Sequence, residues 1–92
     1  MDYEWDPGKA ASNLRKHGVD FADAVLALED VNALTVEDFD QQERRFKTLG
    51  MGPFLEVLLV VHCERSANHI RIISARKADR NETEQYFNGL NL

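Results

Sequence analysis

The nine residues Leu-Glu-Val-Leu-Leu-Val-Val-His-Cys at positions 55–63 decide the fold. In an extended chain Leu55, Val57, Leu59 and Val61 point to one side, and Leu58 and Val60 to the other. A strand that is apolar on both parities is covered on both faces, so this segment is expected inside a sheet with a neighbour on each side. Gly50-Met51-Gly52-Pro53 before it and Ser66-Ala67-Asn68 after it are turn signals. Working outward, residues 44–49 and 34–39 read as strands on one side and residues 70–73 on the other. Four consecutive strands with short connections favour an antiparallel meander.

Helical signals flank these strands. Tyr3 and Trp5 alternate with acids in a short strand-like opening. Asp6-Pro7 then starts a helix, since the carboxylate accepts orphan N–H groups and proline at the first position loses no hydrogen bond. Ala10, Ala11 and Leu14 read as its apolar face, and Lys16-His17-Gly18 as its end. Asp20 caps a second helix, with Phe21, Ala24, Val25 and Leu28 at helical spacing. Asp79 with Glu82 resembles a capping box for a last helix, whose Thr83, Tyr86, Phe87 and Leu90 share a face. The expected class is α+β: two N-terminal helices, an antiparallel sheet of about four main strands with a possible short N-terminal strand, and a C-terminal helix. These 92 residues have room for one domain.

Net charge is −5, which argues against general affinity for nucleic acid. The charge is unevenly spread. Residues 1–43 hold three cations against eleven acids, and residues 44–92 hold eight against five. A phosphate ligand would be met mainly by the second half. No apolar run approaches the roughly 20 residues that span a bilayer, and the acidic start lacks the apolar core of a secretory signal. Cys63 is read as a buried thiol in a reducing cytoplasm. His17, His62 and His69 are scattered at no metal-ligand spacing. No phosphate-cradling glycine loop or nucleophile elbow is present, and no cofactor is expected.

The remaining chemical candidates stand at element ends. Lys16 and His17 lie at a helix C-terminus, where charged caps are ordinary. Glu43, Arg44 and Arg45 open a strand, where charges also discourage edge pairing. Arg76 and Lys77 precede the last helix and Arg80 enters its first turn, a place where cations cost ~0.3–1 kcal/mol each. A basic cluster beside free helix N–H groups suits phosphate. RNA cleavage without a metal requires deprotonating a 2′-hydroxyl, stabilising the phosphorane and protonating the leaving oxygen. Glu or His serves the first and third tasks, Arg or Lys the second.

Three ordered stretches carry a family resemblance: EWDPGKAASNLRKHGVDF near the start, ERRFKTLG in the middle, and IRIISARKADRNETEQY at the sheet's close. Together they resemble the BrnT-type toxins over nearly the whole chain. The motif positions are Trp5, Asp6, Lys9, Asn13, Lys16, His17, Gly18 and Phe21; then Arg45 and Gly50; then Arg71, Ser74, Arg76, Lys77 and Arg80. The resemblance implies a RelE-like, metal-independent endoribonuclease that inhibits translation. It also implies neutralisation by a BrnA-type ribbon-helix-helix antitoxin, through which alone the complex would touch operator DNA. Lys16, His17, Glu43, Arg45 and Arg76 are the candidate catalytic residues, and Arg71, Lys77 and Arg80 the candidate RNA contacts. The expected geometry brings Arg76 near Arg45, with Glu43 or His17 in the same cleft. A dilution of the family's basic run at Asn81, Thr83 and Glu84 leaves an alternative, a non-catalytic antitoxin-binding module that regulates its operon.

Overall fold

A computed structural model describes residues 1–39 and 43–89. In chain order the elements are β1 (Asp2–Glu4), α1 (Pro7–His17), α2 (Phe21–Leu28), β2 (Leu34–Asp38), β3 (Arg45–Met51), β4 (Val57–Ser66), β5 (His69–Lys77) and α3 (Arg80–Gly89). The sheet order is β1-β5-β4-β3-β2, which puts β4 in the middle, paired on both sides. Leu58 and Val60 join a core beneath α1 and α2 with Val19, Phe21, Ala24, Ala27, Ile72 and Ala75. Val57 and Leu59 face the other way, against Leu49 and Tyr86. The two-sided apolar pattern of β4 thus has its physical cause in helices on both faces.

The sheet is mixed rather than wholly antiparallel. β2 to β5 form the expected meander, but the N-terminal strand is real and lies parallel to β5, Tyr3 level with Ile70. Leu55 falls outside its expected strand. Gly52 N–H bonds to Glu56 O at 2.8 Å and closes a turn over the segment. Leu55 sits in that turn at φ 61° and is 85% exposed, so alternation alone overextended the strand. β5 also runs on to Lys77, with Arg76 and Lys77 inside the strand instead of after it. Leu90 lies outside the described residues.

α1 departs furthest from its expected packing. Ala11 and Leu14 are exposed, and the buried residue of the helix is Asn13. The reason is the surface that α1 meets. β1 pairs with β5 only as far as Arg71, which leaves the next part of the β5 edge without a partner strand. The Asn13 amide fills the gap: its Oδ1 accepts from Ala75 N at 3.1 Å, and its Nδ2 donates to Ala75 O at 2.8 Å and to Val19 O at 3.0 Å. Unpaired buried backbone groups demand hydrogen bonds, not methyl groups. Gly18 at φ 71° then ends the helix with its N–H on Leu14 O. Across the sheet, α2 lies so close to β3 that a Cβ on Gly50 would stand 2.0 Å from Ala27 O.

α3 is held at both ends. Asp79 and Glu82 form a reciprocal capping box, each bond 2.8 Å. Glu82 also receives Arg76 through two bonds of 2.8 and 2.9 Å. This pair draws the Glu82 carboxyl below its ordinary range, first through the Arg76 hydrogen bond, although burial opposes it. Further along, the Tyr86 hydroxyl donates to Asp30, whose Oδ2 also accepts from Met51 N at 2.8 Å.

A polar chain runs from the exposed Thr35 to the buried Thr48 and His62 on the sheet face beneath α1 and α2. Thr35 Oγ1 meets Thr48 Oγ1 at 2.7 Å, and Thr48 Oγ1 meets His62 Nε2 at 2.8 Å. His62 is buried, its Nδ1 has no partner, and burial pushes its pKa down to about 4.

Two measurements check this packing. Asn13→Ala leaves three buried backbone groups unsatisfied and is expected to cost roughly 2–4 kcal/mol in urea unfolding, against a few tenths for the exposed Ser12→Ala. For His62 the unfolded chain takes up a proton near the ordinary 6.5, and the folded chain resists it down to about 4. Its contribution to stability is therefore complete above pH 6.5 and declines as the pH falls toward 4, by on the order of 3 kcal/mol. Unfolding curves between pH 7 and 4.5 should show that decline in the parent and a much flatter profile in His62→Gln.

Candidate active site

α3 covers the half of its sheet face that carries Leu49, Val57 and Leu59. The other half stays open and polar. Lys47, Val61 and Ser74 lie level across β3, β4 and β5, and Cys63 lies level with Arg71 beyond them. An irregularity in β5 shapes this area. Val61 pairs with Ser74 but His62 with Ile72, so Ile73 is an inserted residue. A bulge re-aims the side chains around it. Here it lets Ile72 and Ala75, three apart, both enter the helical core while Arg71 and Ser74 face the open side.

At the open end Glu43, Arg45, Cys63, Arg65 and Arg71 surround a polar hollow of about 220 Å³, bounded by Lys9 and Ile73. Arg45 Nη2 stands 3.8 Å from Glu43 Oε2, too long for a hydrogen bond. Arg45 Nε is buried and has no partner. The guanidinium therefore keeps donors unused, held beside a carboxylate that does not saturate it. The Cys63 thiol is pushed up by burial and then by Glu43, against opposing pulls from Arg65 and Arg71. It stays a neutral thiol at the floor of the hollow, which makes it a poor nucleophile.

A second hollow of about 200 Å³ adjoins the first. It runs between α1 and β5 and is lined by Lys9, Ser12, Asn13, Lys16, His17, Ile73 and Ser74. Lys9 and Ile73 belong to both, so the two form one trough along β5. Its lining carries five cations, Lys9, Lys16, Arg45, Arg65 and Arg71, against the single carboxylate of Glu43. On a chain of net charge −5 that is a pronounced local excess, and it is local potential that a charged ligand meets.

The structure thus brings five of the expected residues, Glu43, Arg45, Arg71, Lys16 and His17, to one trough. Three stand elsewhere. Arg76 is level with Leu59, whereas Arg71 is level with Cys63. At the rise of a strand that is roughly 13 Å along β4, and Arg76 is engaged by Glu82 instead of approaching Arg45. Lys77 Nζ lies 3.4 Å from Glu56, and the exposed Arg80 lies 3.4 Å from Glu84. The sequence reading passed over Lys9, Arg65 and Cys63 as lining residues. Lys9 had a legible signal: Lys9, Asn13 and Lys16 fall at i, i+4 and i+7, one face of a helix. Arg65 and Cys63 had none, because the bulge that aims β5 at them is invisible to alternation. Among the described residues, no group of three or more His, Cys, Asp or Glu side chains is placed to hold a metal ion, and no helix is long and apolar enough to cross a membrane.

Comparison with known proteins agrees with the three motif stretches. No curated protein sequence matches the chain. Among solved structures, the crystal structure of the Brucella abortus ribonuclease toxin BrnT superposes with a TM-score of 0.66 at 26% identity, covering 87% of this chain and 99% of that one. The family model for the ribonuclease toxin BrnT of type II toxin–antitoxin systems matches residues 5–82. With most of its length inside that match, the chain belongs to the BrnT family of ribonuclease toxins.

Proposed function

We propose that this chain is an endoribonuclease toxin that cuts RNA with side chains alone, inhibits translation, and folds in the RelE-like manner. The observation that carries the reading is the hollow in which Glu43 stands beside Arg45, a guanidinium with an unpartnered buried Nε. A carboxylate next to a guanidinium with free donors supplies a proton acceptor and an oxyanion clamp within one site. In the proposed reaction Glu43 takes the proton of the 2′-hydroxyl, and the O2′–P bond forms as the P–O5′ bond breaks. Arg45 and Arg71 hold the non-bridging oxygens. His17, in its protonated form, gives a proton to O5′, and Lys16 adds positive charge on that side. The products are a 2′,3′-cyclic phosphate and a 5′-hydroxyl.

The antitoxin of such a module is proposed to be of the BrnA type, with a ribbon-helix-helix part that carries the complex to operator DNA and an acidic segment that occupies the basic trough. Covering the trough would block RNA by charge and by volume at once. The module acts in the cytoplasm, where its RNA substrate is. In this reading Arg76 supports the fold through Glu82 instead of meeting the substrate.

The purified chain, with chelator present, should cleave single-stranded RNA and leave cyclic phosphate ends. Glu43→Gln should lower the rate roughly 10²–10⁴-fold and Arg45→Ala roughly 10²–10³-fold, both without loss of thermal stability. Arg76→Ala should instead lower the melting temperature and leave the rate per folded molecule within about threefold of the parent, a change under 1 kcal/mol. If Arg76→Ala abolishes cleavage at full stability while Arg45→Ala cuts normally, the site lies at the α3 end of the sheet and not in the trough.

A further inference from the structure

The two hollows meet at Lys9 and Ile73, which line both, and of these two only Lys9 carries a charge. Lys9 rises from the first turn of α1, and the Asn13 amide, one turn further on, pins that helix to the β5 edge. Among the described residues Lys9 has no carboxylate partner, in contrast to Lys47, which is 3.7 Å from Asp38, and Lys77, which is 3.4 Å from Glu56. It is the cation common to the Glu43 side and the His17 side of the trough.

Displacement at phosphorus is in-line: the entering and leaving oxygens stand on opposite sides of the phosphorus atom. A proton acceptor and a proton donor that serve one phosphate must therefore flank it from two directions. Glu43 and His17 line different hollows, and the place between them is at Lys9 and Ile73. Ile73 offers no charge; Lys9 does. We propose that Lys9 binds the scissile phosphate and is a catalytic residue. The upstream nucleotide, which bears the attacking 2′-hydroxyl, lies in the Glu43–Arg45–Arg71 hollow. The downstream nucleotide, which bears the leaving 5′-oxygen, lies in the Lys16–His17 hollow. The inference rests on the ribonuclease reading and adds to it a residue and a direction for the strand. A compact ammonium with three rotatable donors suits a phosphorus whose oxygens rearrange between ground state and phosphorane.

The test uses the full chain and two readouts. The first is binding of a short fluorescein-labelled 2′-O-methyl RNA oligonucleotide, which cannot be cleaved by this route. Lys9→Met should weaken binding roughly tenfold and reduce the slope of log affinity against log salt by about 0.7, the value for one lost phosphate contact on a single strand. Lys9→Arg should restore most of the binding, and both variants should melt like the parent. The second readout is kcat at saturating RNA, expected to fall roughly 10²-fold in Lys9→Met. Binding and cleavage that match the parent's would overturn the assignment. A parent that binds RNA but does not cut it, or a Glu43→Gln variant that cuts normally, would count against the ribonuclease reading; the salt slope would still decide whether Lys9 meets phosphate, and an unchanged slope would sink it. For the direction, a photo-crosslinking base placed 5′ of a lone ribonucleotide should attach to peptides of β3 and β4. One placed 3′ should attach to α1. The reverse pattern would overturn the polarity.

Discussion

The site depends on a side-chain amide acting as a short piece of β-strand. Asn13 returns to Ala75 the two hydrogen bonds that a sixth strand would have given. Backbone N–H and C=O groups at a sheet edge are satisfied by another strand, by water or by a polar side chain. Choosing the third brings a helix, not a strand, alongside β5. A helix presents its residues at i, i+4 and i+7 in a row, so the amide that docks it also sets Lys9 and Lys16 above and below on the same side. The basic trough follows from that single substitution of amide for strand.

Two arginines of the chain differ in their partners, and on that difference the proposed roles rest. Arg76 gives two short bonds to Glu82, which is itself locked in the α3 capping box. Pulling Arg76 toward a phosphate would leave that carboxylate and that helix start without support. Arg45 meets Glu43 only at 3.8 Å and has a buried Nε without a partner. An unfilled donor next to a cavity is primed for an incoming oxygen. The acidic total of the chain does not weigh against this, because most of the acids lie away from the trough lining.

The core was legible where burial alone decided. Residues 57–60 are apolar on both parities because helices cover that part of β4 on both faces, and that signal needs no knowledge of topology. Caps were legible for the same local reason: Asp6, Asp20 and Asp79 stand directly before helical spacing. The parallel pairing of β1 was not, since three residues with alternating acids carry no information about which strand they join. The face of α1 was misread in part: Ala10 does pack against the core, but Ala11 and Leu14 are exposed, while the edge of β5 required Asn13. Of the candidate site, Glu43 and Arg45 and the α1 pair Lys16 and His17 were nameable as residue types at element ends, and Arg71 only through the family resemblance. Their meeting was not, because it depends on the insertion at Ile73 and on the edge-docked helix. Arg76 was misplaced for a related reason: counted as a strand end, it lay near Arg45 only if the sheet bent far enough, and the register of β4 with β5 keeps the two apart.

The central claim is that RNA lies along β5 between α1 and the open half of the sheet. Amide chemical shifts of the isotope-labelled chain, titrated with an uncleavable single-stranded RNA, test it most directly. The account predicts the largest movements at Lys9, Lys16, Arg71 and Ser74 and at the start of β3, with the turn after Met51 and the body of α3 unchanged. Movements centred on Lys77, Arg80 and α3, with the α1–β5 trough silent, would contradict it.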